Sequence, residues 1–482
     1  MNALRPDTLI KHLKAVVLLA AAAWSAGLSA HALAQAADAA TIERGKYLAT
    51  ASDCMACHTA HHGKPLAGGL VMSSPVGDIV STNITPSKQH GIGNYTEQQF
   101  SDALRRGIRA DGKMLYPAMP YTAYAKMTDA DIHAMYAYFM QVPAVEQPTK
   151  ETSLPFPMNI RLSMKVWNAL FLDDKPLPAA PAQSALWLRG RYLAEGAAHC
   201  TTCHTPRGAL MQEDTARHLG GSQVGAWYAP NITSHPTAGI GSWTEAELVQ
   251  YLRTGRVEGK AQAAGSMAEA ISLSFRHLEA DDLKAIAVYI KSLPAVVGDA
   301  DQAQGASRFT QGKAGNALDS IRGTRYSDNL KGASLGAQIF SANCASCHGV
   351  NGQGTRDGYY PSLFHNSATV NKTNLLATIV LGVDRQTDDG HVFMPPFGDA
   401  VNAVNHLSDQ EVAALANFVL VQYGTGQPDV QPADVAVIRQ GGPQSHLLTM
   451  ARAGAVLGVL VLALIVVFVL RRRRRAAAVT GV

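Results

Sequence analysis

The sequence lacks the excess of positive charge that nucleic-acid-binding proteins carry. It has 41 Lys and Arg residues against 37 Asp and Glu residues, a net charge of +4 over 482 residues. Much of that excess lies at the ends, because without residues 1–34 and the five arginines at 471–475 the body carries about −3. Nucleic acids are bound largely through Lys and Arg contacts to phosphate. Nucleic-acid binding is therefore excluded as a function.

Two patterns typical of substrate-oxidising and sheet-rich proteins are also missing. No G-x-G-x-x-G fingerprint occurs, so nothing marks a nicotinamide or flavin fold, and oxidation of an organic substrate is expected on another polypeptide. No stretch of useful length alternates apolar and polar residues as a strand does. Residues 128–140, 279–292 and 408–422 instead carry apolar residues at helical period and are candidate closing helices. The expected fold class is all-α, with long loops.

No cysteine is left over from one repeated motif, C-x-x-C-H. The three pentads contain Cys54, Cys57 and His58; Cys200, Cys203 and His204; and Cys344, Cys347 and His348. In such a pentad the two thiols form thioethers with one haem, and the adjacent imidazole becomes the proximal iron ligand. The pattern predicts three covalent haem c groups.

Two other readings of the pentads are weaker. A zinc site would need four ligands per metal, usually from two C-x-x-C pairs or one pair plus further Cys or His, but the pentads are about 145 residues apart. A thioredoxin-like redox motif would need a preceding strand, whereas each pentad follows a short helix-like stretch.

The first two pentads lie in an internal repeat. Residues 44–59 read RGKYLATASDCMACHT, and residues 189–205 read RGRYLAEGAAHCTTCHT. Asn83-Ile84-Thr85 and Asn231-Ile232-Thr233 are equivalent too; they match a glycosylation sequon, but their repetition indicates loop formers near the haem edge. The third unit keeps the same order of motifs but shares fewer identical residues with the first two.

Capping-box pairs predict the start of one helix in each unit. These pairs are Thr96 with Gln99, Thr244 with Glu247, and Ser408 with Glu411.

A second axial ligand is expected from methionine, since a thioether completes the iron of many electron-transfer haems and raises their potential. Met394 is the single methionine between His348 and Met450. In the second unit Met267 is the expected ligand, because Met211 lies only seven residues after His204, too close to reach the opposite face of the haem. In the first unit Met119, at a spacing similar to that of Met267, is preferred to the other candidates, which are Met114, Met127 and Met135. The rival histidines recur at no common repeat position; they are His61, His62, His90, His218, His235, His277, His365, His391 and His406.

The two ends carry membrane signals. Residues 1–34 have a basic start, an apolar run and an Ala-Leu-Ala cleavage pattern, which together indicate a secretory signal peptide. Residues 453–470 form an unbroken apolar run of 18 residues, long enough to cross a bilayer as a helix. Five arginines follow it, and such clusters stay in the cytoplasm. The expected location is the inner membrane, with one span and the haem domains on the periplasmic side.

The motifs resemble those of the triple-haem cytochrome c subunit of membrane-bound alcohol, gluconate, sorbitol and aldehyde dehydrogenases. They are GKPLAGG at 63–69, STNITP at 81–86, LYPAMPY at 115–121, GSMAEA at 265–270, YYPSL at 359–363 and VFMPPFG at 392–398. The resemblance covers almost all of the mature chain. It implies a separate catalytic subunit of quinoprotein, flavoprotein or molybdenum type as electron donor, and ubiquinone or a terminal oxidase as acceptor. The chain itself is then a redox subunit and not an enzyme.

The sequence disfavours two other functions. A cytochrome c peroxidase needs an open or displaceable distal position on a haem, and three well-placed methionines disfavour it. A terminal-oxidase subunit with several haems generally carries its anchor before the haem domains, whereas here the anchor comes last.

The expected architecture is three tandem class-I-like cytochrome c domains followed by one transmembrane helix. The predicted boundaries are 1–34 signal peptide, 35–145 domain 1, 146–185 Pro-rich linker, 186–293 domain 2, 294–331 linker, 332–424 domain 3, 425–449 linker, 450–470 transmembrane helix and 471–482 basic cytoplasmic tail. These domains are called units 1, 2 and 3 below. The third linker is expected to be flexible because it is polar.

Overall fold

The computed structural model describes residues 38–297, 312–315, 333–400, 402–424 and 426–480. The predicted signal peptide and most of the predicted linker 294–331 lie outside these ranges.

Unit 1 and the linker that follows it are helical with one hairpin. The elements are α1 (38–51), α2 (Cys54–His58), β1 (Val71–Ser74), β2 (Gly77–Val80), α3 (Glu97–Arg106), α4 (Tyr121–Tyr124), α5 (Asp129–Phe139) and, in the linker, α6 (Ser163–Phe171).

Unit 2 repeats this order and adds a second hairpin. Its elements are α7 (Ala185–Tyr192), a π-helical turn (Leu193–Ala197), α8 (Cys200–His204), β3 (Ser222–Val224), β4 (Trp227–Ala229), α9 (Glu245–Thr254), β5 (Arg256–Val257), β6 (Ala261–Gln262), α10 (Gly265–Leu273) and α11 (Ala280–Lys291).

Unit 3 and the C-terminal segment complete the chain. Their elements are α12 (Leu335–Asn343), α13 (Ala345–His348), α14 (Lys372–Leu381), β7 (Val383–Thr387), β8 (Gly390–Met394), α15 (Asp409–Tyr423), α16 (Pro432–Arg439) and α17 (Leu447–Thr480). The three predicted closing helices are thus confirmed as α5, α11 and α15. All three predicted capping boxes are confirmed, each with reciprocal bonds between the hydroxyl residue and the residue three positions on.

A single inserted residue explains the π-helical turn of unit 2. Seven positions separate Tyr47 from Cys54, but eight separate Tyr192 from Cys200. A π-turn accommodates one extra residue without changing the direction of a helix. The leading helix of unit 2 therefore presents its pentad as unit 1 does.

The all-α prediction needs one correction, because the described residues contain four antiparallel two-stranded hairpins. Their strands are two to five residues long, mostly too short for an alternating pattern to register in the sequence. The pairs Val71 with Val80 and Val383 with Met394 mark the open ends of the first and last hairpins. The four hairpins position loops and form no larger sheet.

Each unit is held together by a close crossing of its leading and closing helices. A Cβ atom at Gly45 would collide with the carbonyl oxygen of Ala134, and one at Gly190 would collide with that of Ala285. Gly336 has the same relation to the carbonyl of Ala414 in unit 3. Only glycine allows the two backbones to approach so closely.

The buried side chains form two cores. One core is continuous through units 1 and 2 and includes Leu48, Met135, Leu193 and Ile286. The second core lies mainly in unit 3, from Ala337 to Tyr423, and also takes in Ala226 of unit 2 and Val435 and Ile438 of α16. Units 1 and 2 are therefore fused by apolar packing.

The third predicted linker is not uniformly flexible, and that prediction is wrong for the part that forms α16. Pro432 stands at the start of this helix, and its apolar residues Val435 and Ile438 lie three positions apart on its buried side. Arg439 forms ion pairs with Asp399 and Asp409, at 3.0 and 2.7 Å. The chain leading to the last helix is thus tied to unit 3.

The last helix is the one element of the described chain that is long and apolar enough to cross a membrane. The stretch Leu447–Arg472 has this length and composition, and its most apolar part is not buried within the protein. A helix that is apolar on all sides and unburied is typical of a membrane span.

Candidate cofactor sites

Each pentad forms a short helix of its own just after the leading helix. In units 1 and 2 the residue before the first cysteine turns the chain, since Asp53 and His199 have φ angles of 53° and 37° in the left-handed region. In unit 3 the first cysteine, Cys344, is itself the helix cap. The break between the two helices places both thiols and the histidine of a pentad on one short turn.

The three pentad histidines make the same hydrogen bond. Nδ1 of His58 lies 2.7 Å from the carbonyl oxygen of Thr82, and Nδ1 of His204 lies 2.7 Å from that of Pro230. Nδ1 of His348 lies 3.0 Å from the carbonyl of Pro361. A carbonyl only accepts, so Nδ1 carries the proton and Nε2 carries the lone pair. This arrangement orients an imidazole for metal ligation through Nε2.

Burial favours the neutral form of several pentad side chains. Burial lowers the pKa of His58 and of His348, which favours the unprotonated imidazole that binds a metal. Burial also raises the pKa of the Cys57, Cys200 and Cys344 thiols to about 12. Zinc and iron–sulfur sites use thiolates, whereas thioether formation consumes thiols.

The donor set fits a covalently attached haem at each pentad. All six cysteines belong to the described chain, and none forms a disulfide. Within the described ranges no cluster of three His, Cys, Asp or Glu side chains could hold a bare metal ion. Two thiols beside one imidazole oriented through Nδ1 match the requirements of a c-type haem in three places.

The repeated Asn-Ile-Thr loops fix the carbonyls that orient two of the histidines. Asn83 Oδ1 accepts hydrogen bonds from the backbone N–H and the hydroxyl of Thr85, at 2.9 and 2.7 Å. Asn231 makes the same two bonds with Thr233, also at 2.9 and 2.7 Å. Both asparagines are buried, which explains their repetition as structural and leaves no surface for a glycan. Thr82 and Pro230 stand directly before them.

The sequence reasoning missed these three carbonyl residues. The repeated position before Asn-Ile-Thr could have indicated the acceptors of units 1 and 2. Pro361 lies within the YYPSL motif, but nothing in that motif indicates that its carbonyl accepts a hydrogen bond from a histidine.

The three selected methionines occupy different local structures. Met119 lies in a turn, bonded through its backbone to Tyr116 and Tyr121. Met267 is in the first turn of α10, and Met394 is the last residue of β8. All three are partly exposed and pack at the edge of a core. Each precedes the closing helix of its unit, as expected, although only Met119 lies in a loop.

The rival methionines of unit 1 are core residues. Met114, Met127 and Met135 have exposures of 4%, 2% and 0%, and Met127 and Met135 belong to the core shared by units 1 and 2. Two rival histidines are engaged elsewhere, because His235 Nδ1 accepts from the N–H of Ala238 at 3.0 Å and His391 Nε2 lies 2.8 Å from Asp384. The choice of Met119 remains a prediction, and the burial of its competitors favours it.

The pentads of units 1 and 2 lie against the same interface. The His199 ring contacts that of Tyr124, with centroids 5.7 Å apart, and its Nε2 lies 3.3 Å from the carbonyl of Ser52. The Tyr124 hydroxyl donates to the same carbonyl at 2.7 Å. Helix α2 also contacts α10, which carries Met267.

Units 2 and 3 are joined by hydrogen bonds that each involve a backbone group. Asn374 bonds both the N–H and the carbonyl of Tyr228, each at 2.9 Å. Arg385 is 1% exposed and donates to the carbonyl of Ala263 at 2.6 Å. The N–H of Gln386 donates to the Ser272 hydroxyl at 3.0 Å. Helix α10 thus packs along the hairpin that ends in Met394.

Comparison with known proteins agrees with this geometry. The sequence family described as Cytochrome c matches residues 42–143, 188–294 and 333–422. The fructose dehydrogenase cytochrome subunit of Gluconobacter japonicus is 45% identical over 424 residues, which covers 86% of each chain. The cytochrome c subunit of a quinone-type alcohol dehydrogenase of Gluconobacter oxydans (strain 621H) is 38% identical, over 92% of this chain and 91% of that one. The gluconate 2-dehydrogenase cytochrome c subunit of Pantoea cypripedii is 37% identical, over 84% and 90%.

Proposed function

The chain belongs to the cytochrome c family, and from that premise we propose that it relays electrons through three haem c groups from a periplasmic dehydrogenase to ubiquinone or a terminal oxidase. Its relatives are cytochrome subunits of fructose, alcohol and gluconate dehydrogenases. The chain is accordingly an electron-transfer subunit of a dehydrogenase complex and not the catalytic one. Its donor is then a catalytic subunit of quinoprotein, flavoprotein or molybdenum type.

The observation that carries the proposal is the threefold recurrence of one ligand geometry. Each pentad pairs two thiols with a histidine whose Nδ1 meets a backbone carbonyl at 2.7 to 3.0 Å. When bound, haem supplies reversible one-electron redox chemistry at its iron. The six cysteines would hold the three porphyrins. His58, His204 and His348 would ligate the irons on one side, and Met119, Met267 and Met394 on the other.

The contacts between units support a relay with unit 2 in the middle. Unit 2 shares a core with unit 1, and its α10 packs on the β7–β8 hairpin of unit 3. Tyr124 and His199 bring the first two pentads to one interface. Arg385 and Asn374 fasten the third unit to the second. A rigid arrangement of this kind would keep the distances between the redox centres constant.

The location proposed is the periplasmic face of the inner membrane. An apolar run of 18 residues followed by five arginines supports a single span with the tail in the cytoplasm. The haem-bearing body precedes the span and so would face the periplasm, where covalent haem attachment and a secreted dehydrogenase are both expected. Ubiquinone dissolved in the same bilayer is then an accessible acceptor.

The test is mass spectrometry of the full chain produced in cells that attach haem c. We expect the polypeptide mass raised by three haems. The matched variant, with Cys200→Ser and Cys203→Ser together, should carry two haems. A bare polypeptide mass, or one raised by another group, would contradict the proposal.

Electron transfer is tested with the same preparation. Alcohols, sugars and sugar acids should leave the haem spectrum of the purified chain oxidised. Addition of a partner dehydrogenase with its substrate should reduce it, and a ubiquinone analogue should reoxidise it. Reduction by a substrate without the partner would make the chain itself the catalyst and refute the proposed role.

A further inference from the structure

The linker between units 1 and 2 exposes a row of large apolar side chains. We call them the linker face. They are Phe156, Ile160, Leu162, Val166 and Leu170, with exposures between 46% and 65%. Soluble proteins seldom leave so many neighbouring apolar side chains uncovered, and such patches mark contacts with another surface.

The linker face is held rigidly, because the opposite side of α6 is anchored to the body. Trp167 is buried, and its Nε1 donates to the carbonyl of Leu210 in unit 2 at 2.9 Å. Asn168 accepts from the Tyr121 hydroxyl at 2.8 Å and donates to the carbonyl of Arg106 at 2.9 Å. Leu162, Val166 and Leu170 are four residues apart and so share the outward side of the helix.

A hydrogen bond fixes where this face lies relative to the membrane. The Arg452 Nε donates to the carbonyl oxygen of Phe156 at 3.1 Å. Arg452 is the residue directly before the apolar run 453–470. A guanidinium at that place sits at the level of the lipid headgroups, since charge is costly in the hydrocarbon. Phe156 therefore lies at the same level.

The charge of the segment suits a lipid surface. Residues 152–172 contain no Asp or Glu, and their two charged residues are Arg161 and Lys165. Lys165 is exposed on α6 beside Val166. A helix with an apolar side bordered by cations is typical of segments that lie in the interface of anionic bilayers.

We propose that the linker face inserts into the periplasmic headgroup–acyl boundary of the bilayer as a second membrane contact. The helix α6 then lies along the membrane surface and holds units 1 and 2 against it, while α17 crosses the bilayer. The inference rests on the proposed span, because the bond from Arg452 is what sets the level. A docking site for the dehydrogenase subunit is the competing occupant, and the proximity of the span favours lipid.

The experiment places a spin label on the full haem-loaded chain in nanodiscs that contain anionic phospholipid. The native cysteines are consumed by haem under the proposed function, so a cysteine introduced by Val166→Cys or Leu170→Cys is the labelled thiol. The unmodified chain serves as the labelling blank. Lys284→Cys, exposed on α11, is the control for water, and Val461→Cys is the control for the hydrocarbon core. Collisions with oxygen and with a water-soluble nickel chelate report the depth of each label.

We expect the ratio of oxygen to nickel collisions at positions 166 and 170 to be several-fold higher than at 284, without any partner present. A ratio equal to that at 284 overturns the proposal. If the labels become immobile only after the dehydrogenase subunit is added, the linker face is a protein-docking surface instead. A water-like ratio at 461 would refute the span and this contact together, and would leave the haem relay intact. Two independent labelled positions guard against one variant that fails to fold.

Discussion

The hydroxyl of Tyr47 in unit 1 donates a hydrogen bond of 2.6 Å to Oδ2 of Asp282 in unit 2. The reciprocal bond is also present, from the Tyr192 hydroxyl of unit 2 to Asp131 of unit 1. Tyr47 and Tyr192 are equivalent in the repeat, as are the two aspartates. The two units therefore pair through a contact that is made twice with the roles exchanged, as in a symmetric dimer of one chain.

Removing one of these hydroxyls should weaken the pairing of units 1 and 2. Tyr47→Phe leaves the buried Asp282 carboxylate short of one donor, and bonds to charged groups contribute about 2 kcal/mol. We expect the free energy of unfolding to fall by about that amount, measured by denaturant titration of the haem-loaded chain. Tyr95→Phe is the matched control, because no hydrogen bond of its hydroxyl is seen in the described residues. Equal losses in both variants would contradict this role for Tyr47.

The close helix crossings should not tolerate a methyl group. In Gly190→Ala the new Cβ meets the carbonyl oxygen of Ala285, which is backbone and has no room to move. Overpacking of this kind costs about 3 kcal/mol, so we expect a lower midpoint of thermal unfolding and a smaller yield of haem-loaded protein. Gly196→Ala is the control, since its Cβ would lie 3.7 Å from the Met127 side chain, an ordinary contact. An unchanged Gly190→Ala protein would show that the helices can separate at no cost.

The paired interface should also make the chain sensitive to acid. Burial raises the pKa of Asp282, but hydrogen bonds from Arg189 and Tyr47 outweigh it and hold the pKa below its ordinary value. A carboxyl with a lowered pKa stabilises the fold at pH values above its ordinary value, and this contribution is lost as pH falls through the lowered pKa. We expect the midpoint of thermal unfolding to drop below about pH 4.

Asp282→Asn separates this effect from general acid unfolding. The variant should be less stable than the parent chain at pH 7, and the difference between the two should shrink as pH is lowered to 3. The exposed neighbour Asp281→Asn should follow the parent chain throughout. A constant difference between Asp282→Asn and the parent at all pH values would exclude the carboxylate as its source.

Local signals in the sequence were sufficient to predict many elements. Thr96, Thr244 and Ser408 each start a helix because a capping box satisfies backbone groups within four residues. The hairpins escaped prediction because their strands are two to five residues long. The helix α16 escaped prediction because its apolar stretch, 433–438, is short and lies between polar segments of the linker.

Contacts between units could not be read from one chain. Tyr47 and Asp282 are 235 positions apart, and no local pattern connects them. The sequence does contain one indication that units 1 and 2 pair with each other. The motif Arg-Gly-x-Tyr-Leu occurs at 44–48 and at 189–193. Unit 3 has Leu335 and Gln338 in place of the Arg and the Tyr. Unit 3 is also the unit that does not share the common core. Arg385 had no such signal, because its acceptors are backbone and amide groups of unit 2.

Substitution can identify which methionine is the second axial ligand of the haem in unit 1, Met119 or one of its rivals. Met119→His should lower the reduction potential of one haem, because imidazole in place of a thioether favours the ferric state. One third of the long-wavelength methionine-to-iron charge-transfer absorbance should disappear with it. Met135→Leu, which alters a fully buried core residue, should leave both the potential and the absorbance unchanged while it lowers stability slightly. If Met135→Leu removed the band and Met119→His did not, the ligand of unit 1 would lie on α5 and not in the turn before α4. Redox titration of the two purified proteins, followed at the haem absorption, distinguishes these results.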